Sequence, residues 1–290
     1  MTWIIYALLT AVFNAARSVA SKQSLRHLDE YVVSWFISIL PALLLLPVFL
    51  LGLQPVPALG EMFWPVLISD CLLSAIATVW STKALLKSDL SVTTPLVAFT
   101  PLFMLVTGYL MLREAPNPAG LVGVLLVVGG AYFLNIRERR SGWRAPFKAL
   151  VKDEGARLML GAAFVWSVTG VMDKIAMQAS APIFFVMAED FLIALFILPY
   201  AWKGLRQHRR QIREERLQLA AVGVFSMLTL VCQMIALQTA LVVYVVAIKR
   251  LSILLSIILG GVVFKEKDIK FKLVGGTIMV AGVIFLTILQ

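Results

Sequence analysis

Charge is what this sequence has least of. Only 14% of its 290 residues are Asp, Glu, Lys or Arg, whereas 60% are hydrophobic and the mean hydropathy is +0.91. A soluble domain carries about 25% charged residues, so most of this chain has no use for a water-facing surface. Long polar stretches are also missing, the longest being a linker at 137–156, which leaves no room for an extramembrane domain. No P-loop, nucleophile motif or metal-ligand spacing occurs, so neither nucleotide hydrolysis nor any other enzyme chemistry is indicated, and no cofactor is expected. The two histidines, His27 and His208, fall in loops, and the two cysteines, Cys71 and Cys232, lie in apolar runs without metal-ligand neighbours.

What the chain has in abundance is apolar runs of the length that crosses a ~30 Å hydrocarbon layer as helix. Ten such runs can be placed, at roughly 2–21, 31–53, 62–82, 90–112, 117–136, 157–176, 182–202, 217–238, 241–264 and 270–289. The expected fold is therefore an all-α membrane protein of ten transmembrane helices. The first run reads as a span and not as a cleaved leader, because no basic residues precede it and Arg17 interrupts its end.

The net charge of +10 does not point to nucleic acid, since the bases sit beside spans. The loops after spans 1, 3, 5, 7 and 9 hold 2, 2, 7, 6 and 4 Lys or Arg, and the loops on the other face hold only Arg113 and Lys174. Cytoplasmic loops carry the excess of Lys and Arg, so both termini are expected outside the cytoplasm, as in a multi-pass protein of a bacterial inner membrane. The segment WRAPFKALVK (143–152) should then lie on the inner surface, with Trp143 and Phe147 dipping into lipid.

Shifting the sequence by 152 residues aligns its two halves without a gap. Lys22 meets Lys174, Pro47 meets Pro199 and Glu114 meets Glu266, and glycines coincide at 52/204, 108/260, 123/275 and 130/282. Five spans per half is an odd number, so the halves insert in opposite senses. Inverted repeats of this kind characterise secondary transporters, with the substrate near the midplane between them. The expected organisation is a first repeat at 1–136, a basic amphipathic linker at 137–156 and a second repeat at 157–290. The glycines of spans 5 and 10 suit close helix packing, within the monomer or across a homodimer. Pro95 and Pro101 should break span 4, whereas span 9 has no proline there. Glu114 and Glu266 precede the spans that follow them and are expected to favour positive helix ends.

The pattern YLMLREAPNPAGLVGVLLVVGG (109–130), echoed by GVVFKEKDIKFKLVGGTIMVAG (261–282), resembles the two EamA repeats of the drug/metabolite transporter superfamily. The likeness covers nearly the whole chain and implies alternating-access transport of a substrate it does not specify. Similar proteins place both termini in the cytoplasm; the loop charges of this chain assign the opposite. Plastid phosphate translocators of the same superfamily carry a Lys-Arg pair at the corresponding place in span 9, where it holds the substrate phosphate. The resemblance thus implies that role for Lys249 and Arg250.

Within the apolar runs a few charges stand out. A lone Lys, Arg or Asp at a helix centre costs about 2.5–3.5 kcal/mol. Lys22 and Lys174, near span ends, can reach the headgroups, and Arg17 is intermediate. Asp70, Glu189, Asp190, Lys249 and Arg250 cannot. All five lie roughly 10–14 Å into odd-numbered spans, which run in one direction, so they occupy one layer. The acids are expected to pair with the cations or to carry coupling protons. Polar stripes accompany them: Asn14, Arg17, Ser18 and Ser21 on span 1; Asp70, Ser74, Thr78 and Ser81 on span 3; Ser226, Thr229 and Gln233 on span 8; and Ser252 and Ser256 on the Lys249 face of span 9.

A guanidinium fork beside a compact ammonium suits a phosphate or carboxylate. The expected activity is therefore transport of a small organic or phosphorylated anion, proton-coupled or by exchange. Lys249, Arg250, Ser252, Ser256, Arg17 and Gln233 are the candidate substrate contacts. Three alternatives remain: export of amino acids or cationic or zwitterionic metabolites bound by the acids, flipping of an anionic lipid carrier, and a membrane scaffold without transport. The expected partners are the small substrate and membrane lipids.

Overall fold

The computed structural model describes residues 2–88, 96–136, 153–256 and 269–288. Pro95, the linker segment 137–152 with Trp143 and Phe147, Gly260 and Glu266 lie outside the described residues. Within those residues the chain forms helices and no strands: α1 (Thr2–Ser24), α2 (Glu30–Leu50), α3 (Phe63–Lys87), α4 (Thr100–Leu112), α5 (Pro118–Ile136), α6 (Glu154–Gln178), α7 (Pro182–Gln207), α8 (Arg209–Glu214), α9 (Arg216–Leu237), α10 (Val242–Lys249) and α11 (Ile269–Ile288). Residues 251–256 are also helical. Six helices, α1, α2, α3, α6, α7 and α9, are long and apolar enough to cross a membrane, and Thr100–Leu112, Pro118–Phe133 and Val274–Thr287 are shorter apolar stretches. The molecule is an integral, multi-pass helical membrane protein.

Local chemistry sets several helix starts. Asp29 caps α2 by accepting the Val32 amide at 2.9 Å. Asp153 caps α6 by accepting the Gly155 and Ala156 amides, and the Ser88 hydroxyl donates to the same carboxylate oxygen. Each satisfies donors that a helix start leaves orphaned.

Two breaks matter more for function. Before α4 the chain is helical at 96–97 and turns at 98–99. Pro101 has no N–H to return to the Val97 carbonyl, and the Thr100 hydroxyl donates to that carbonyl instead, at 2.8 Å. In the other half, α10 ends at Lys249, Arg250 forms a turn through its amide bond to Ala247, and helix resumes at 251. Positions 98 and 250 differ by 152, the repeat offset. Proline explains the first break; the second occurs without one, at the Lys-Arg pair.

The helix pairs that pack most extensively are α5 with α11, α1 with α9, α3 with α6 and α2 with α7. Numbered by the ten apolar runs of the sequence, these are 5 with 10, 1 with 8, 3 with 6 and 2 with 7. Exchanging each span for its repeat mate turns 1–8 into 6–3 and returns 2–7 and 5–10 to themselves. The packing thus carries the pseudo-twofold relation seen in the sequence. Each repeat is interleaved with the other, so the core lies between repeats.

The α5–α11 contact depends on glycine. A Cβ at Gly130 would lie 2.7 Å from the Gly275 carbonyl oxygen and 2.8 Å from the Met279 nitrogen, and one at Gly282 would lie 2.8 Å from the Gly123 oxygen. Of the two settings in which these glycines could serve, within one chain or across a dimer, the fold uses the first. Gly130→Ala should lower the melting temperature in detergent, at a cost of about 1–3 kcal/mol from overpacking against backbone. Gly129→Ala, one residue away with nothing within 4 Å of its Cβ position, should leave it unchanged or raised.

Candidate functional site

Asp70, Glu189 and Lys249 each lie seven residues past the first residue of their helices, α3, α7 and α10. At 1.5 Å per residue that is a common depth of about 10 Å. Asp70, Glu189, Asp190 and Arg250 are buried. The layer also holds a member that the sequence reading missed, Asp173 on α6, which is buried as well. One carboxylate oxygen from each of Asp70, Asp173 and Glu189 lies within 4.8 Å of the others. The signal for Asp173 was available: even-numbered spans end at the face where odd ones begin, and residue 173 stands five before the end of α6.

The cations are not paired with these acids as the sequence suggested. Among the described residues no ion pair within 4.0 Å joins Arg17, Lys249 or Arg250 to Asp70, Asp173, Glu189 or Asp190. The Lys249 ammonium instead donates to the neutral Gln233 carbonyl on α9 at 2.6 Å, and Arg250 Nε has no hydrogen-bond partner. The cause is helical position. The Glu189 carboxylate lies beside those of Asp70 and Asp173 on α3 and α6, whereas the Lys249 ammonium faces α9. The ammonium also sits in the last turn of α10, where exposed carbonyls favour a cation.

Arg17 belongs to a chain of contacts. Its guanidinium donates to Asn14 Oδ1 at 2.7 Å, and Asn14 Nδ2 donates to Ser252 Oγ at 2.8 Å, tying α1 to the segment after the α10 break. Arg17 is the cation acting most strongly on Asp190, and Lys249 acts on Asp173 and Glu189. Ser256, one turn beyond Ser252, takes no part in these hydrogen bonds. The polar stripes are less open than expected: Ser18, Ser81 and Thr229 donate to carbonyls of their own helices.

A second polar assembly sits nearer the membrane face where the odd spans begin. The Lys174 ammonium is buried and donates to Glu114 Oε1 at 2.5 Å and to the Ala240 carbonyl at 2.7 Å. Glu114 Oε2 accepts the amide of Val242, the first residue of α10, at 3.0 Å. Lys174 therefore does not reach for headgroups, because two acceptors hold it inside. Glu114 favours a positive helix end, but the end is that of α10 and not of the next span. The left-handed backbone at Arg113 (φ 57°), which ends α4, redirects the chain toward that contact. A cavity of about 430 Å³, lined in part by Asn117, Lys174, Gln238, Leu241 and Tyr244, lies beside it, and none of the seven charges of the deeper layer lines that cavity.

On the opposite face, His27 Nδ1 lies 2.9 Å from Glu215 Oε1 and His208 Nε2 lies 3.6 Å from Asp29 Oδ2, so loops of the two repeats meet there as well. The charged layer is bracketed by polar contacts at both ends.

The sequence profile of the EamA-like transporter family matches residues 1–136 and 154–288. No curated protein matches the sequence. A solved structure, titled only as the crystal structure of a protein, superposes with a TM-score of 0.77 over 99% of this chain and 96% of its own, at 14% sequence identity. That likeness speaks to the fold.

Proposed function

Because the chain belongs to the EamA-like transporter family, we propose that it is a secondary active transporter carrying a small organic or phosphorylated anion by alternating access. One observation carries the anionic preference. Three cations, Arg17, Lys249 and Arg250, share the charged layer at the α10 break, and among the described residues no carboxylate lies within 4.0 Å of any of them. Their present partners, Asn14 and Gln233, are neutral, and Arg250 keeps a buried Nε without an acceptor. A cation left in that state costs free energy that a phosphate or carboxylate would return through charge-assisted hydrogen bonds. Ser252 and Gln233 stand where they could add neutral contacts.

The energy comes from exchange or from the proton gradient. Counterflow in proteoliposomes tests the reading: vesicles preloaded with unlabelled phosphorylated or carboxylate metabolites should accumulate the labelled compound, and vesicles preloaded with amines should not. Uptake restricted to amines or amino acids would instead assign the substrate to the acids.

The proposed location is a bacterial inner membrane with both termini outside the cytoplasm. The basic loops support it, as does the Arg206 guanidinium stacked 4.6 Å from the Trp202 ring at the end of α7, a pairing suited to a headgroup interface. In intact cells a single cysteine at Gln211 should be shielded from an impermeant thiol reagent and one at Gln54 should be labelled. The reverse pattern would invert the topology.

A further inference from the structure

We propose that Asp70, Asp173 and Glu189 form a binding site for a hard divalent metal cation. The three carboxylates come from α3, α6 and α7, and each offers an oxygen within 4.8 Å of the other two. A cation bound by oxygen at about 2.0–2.6 Å can be reached by all three carboxylates from these positions through small side-chain adjustments.

Proximity of acids would not suffice, but their bonding state also points to a ligand. Asp70 is 0% exposed, and neither of its carboxylate oxygens accepts a hydrogen bond from an N–H or hydroxyl donor; it faces the Asp173 carboxyl, with which it can share a proton. Glu189 Oε2 is closed off with no partner, on a residue only 5% exposed. Such groups are rarely left unmatched in a stable interior. No ammonium or guanidinium among the described residues comes within 4.0 Å of them, so none pairs directly with the trio.

Around the trio itself a divalent ion comes close to charge balance. Three carboxylates facing a divalent ion leave a single negative charge, and Lys249, the cation acting on both Asp173 and Glu189, offsets it. Carboxylate donors without thiol or imidazole select Ca²⁺ or Mn²⁺ over softer metals. The three helices come from both repeats, so the ion would join them at the centre of the molecule. The proposal stands on these side chains and does not depend on the transported molecule being an anion.

The test uses the full-length protein in detergent at mildly alkaline pH, titrated with Mn²⁺ and followed by the loss of the free-ion electron paramagnetic resonance signal. The expected result is one Mn²⁺ per chain, displaced by Ca²⁺ and not by K⁺. Asp70→Asn, Asp173→Asn and Glu189→Gln should each weaken it by at least about tenfold, because affinity follows the charge of the ligand set, while exposed Glu61→Gln should not. If one variant does not fold, the other two decide. Ca²⁺ should also raise the melting temperature of the unaltered protein. No Mn²⁺ binding at millimolar concentration, or binding indifferent to all three substitutions, overturns the site.

Discussion

Replacing Lys249 with glutamine should weaken anion binding by about one to two powers of ten, the equivalent of roughly 1.5–3 kcal/mol for a charge-assisted contact. Among the described residues the ammonium is held by Gln233 alone, at 2.6 Å, so an arriving anion exchanges a neutral acceptor for a charged one. Arg250→Lys keeps the charge but loses the planar fork, and should also impair binding where the contact is bidentate. The same variants separate the competing readings. If the layer is only a structural clasp, both changes should lower the melting temperature, and replacing Lys249 and its partner Gln233 together by apolar residues should restore it. If the substrate is a cation, Lys249→Gln should leave affinity intact or improve it. Normal anion affinity in both Lys249→Gln and Arg250→Gln would end the anion reading.

The largest loss of stability is expected at Glu114→Ala. That change strips the buried Lys174 of its only ion-pair partner among the described residues and frees the α10 amide at Val242. Removing one member of a buried pair costs about 3–5 kcal/mol, since the remaining charge stays buried and uncompensated. The double variant Glu114→Leu with Lys174→Met should recover much of the melting temperature, because well-packed apolar groups often serve as well as a buried pair. Transport should not recover with it if the contact also closes one end of the path. A melting temperature unchanged by Glu114→Ala would show that Lys174 finds water or another acceptor.

The sequence was most informative where one-dimensional regularity mirrors three-dimensional symmetry. Span lengths, the 152-residue offset and the depth of Asp70, Glu189 and Lys249 are arithmetic on residue numbers, and the helix packing follows them. Partners across helices are not arithmetic. Depth places Lys249 level with Glu189 but says nothing of rotation about the helix axis, and rotation gives Lys249 to Gln233. Asp173 was passed over because its neighbour Lys174 drew the snorkelling explanation, although the two side chains serve different assemblies at different depths. The second break was hidden for another reason: α10 stops at Arg250 without proline or glycine, so no local residue announces it.

The coincidence of the two breaks sets where this molecule can bend. A helix interrupted partway along behaves as two rods on a pivot, as it does at 250, and the turn at 98–99 that leads into α4 stands one repeat offset earlier. The rod before the second pivot is seated on the Glu114 carboxylate, and the segment after it is tied to α1 through Ser252 and Asn14. Tilting one rod therefore need not drag the other, and the charged layer at the pivot can reorganise while the outer segments remain in place. If the halves insert in opposite senses, as the repeat offset leads us to expect, a bend taken up at one pivot should have a counterpart at the other on the far side of the membrane. Two spin labels flanking each pivot should report angles that change in opposite senses as the transporter turns over.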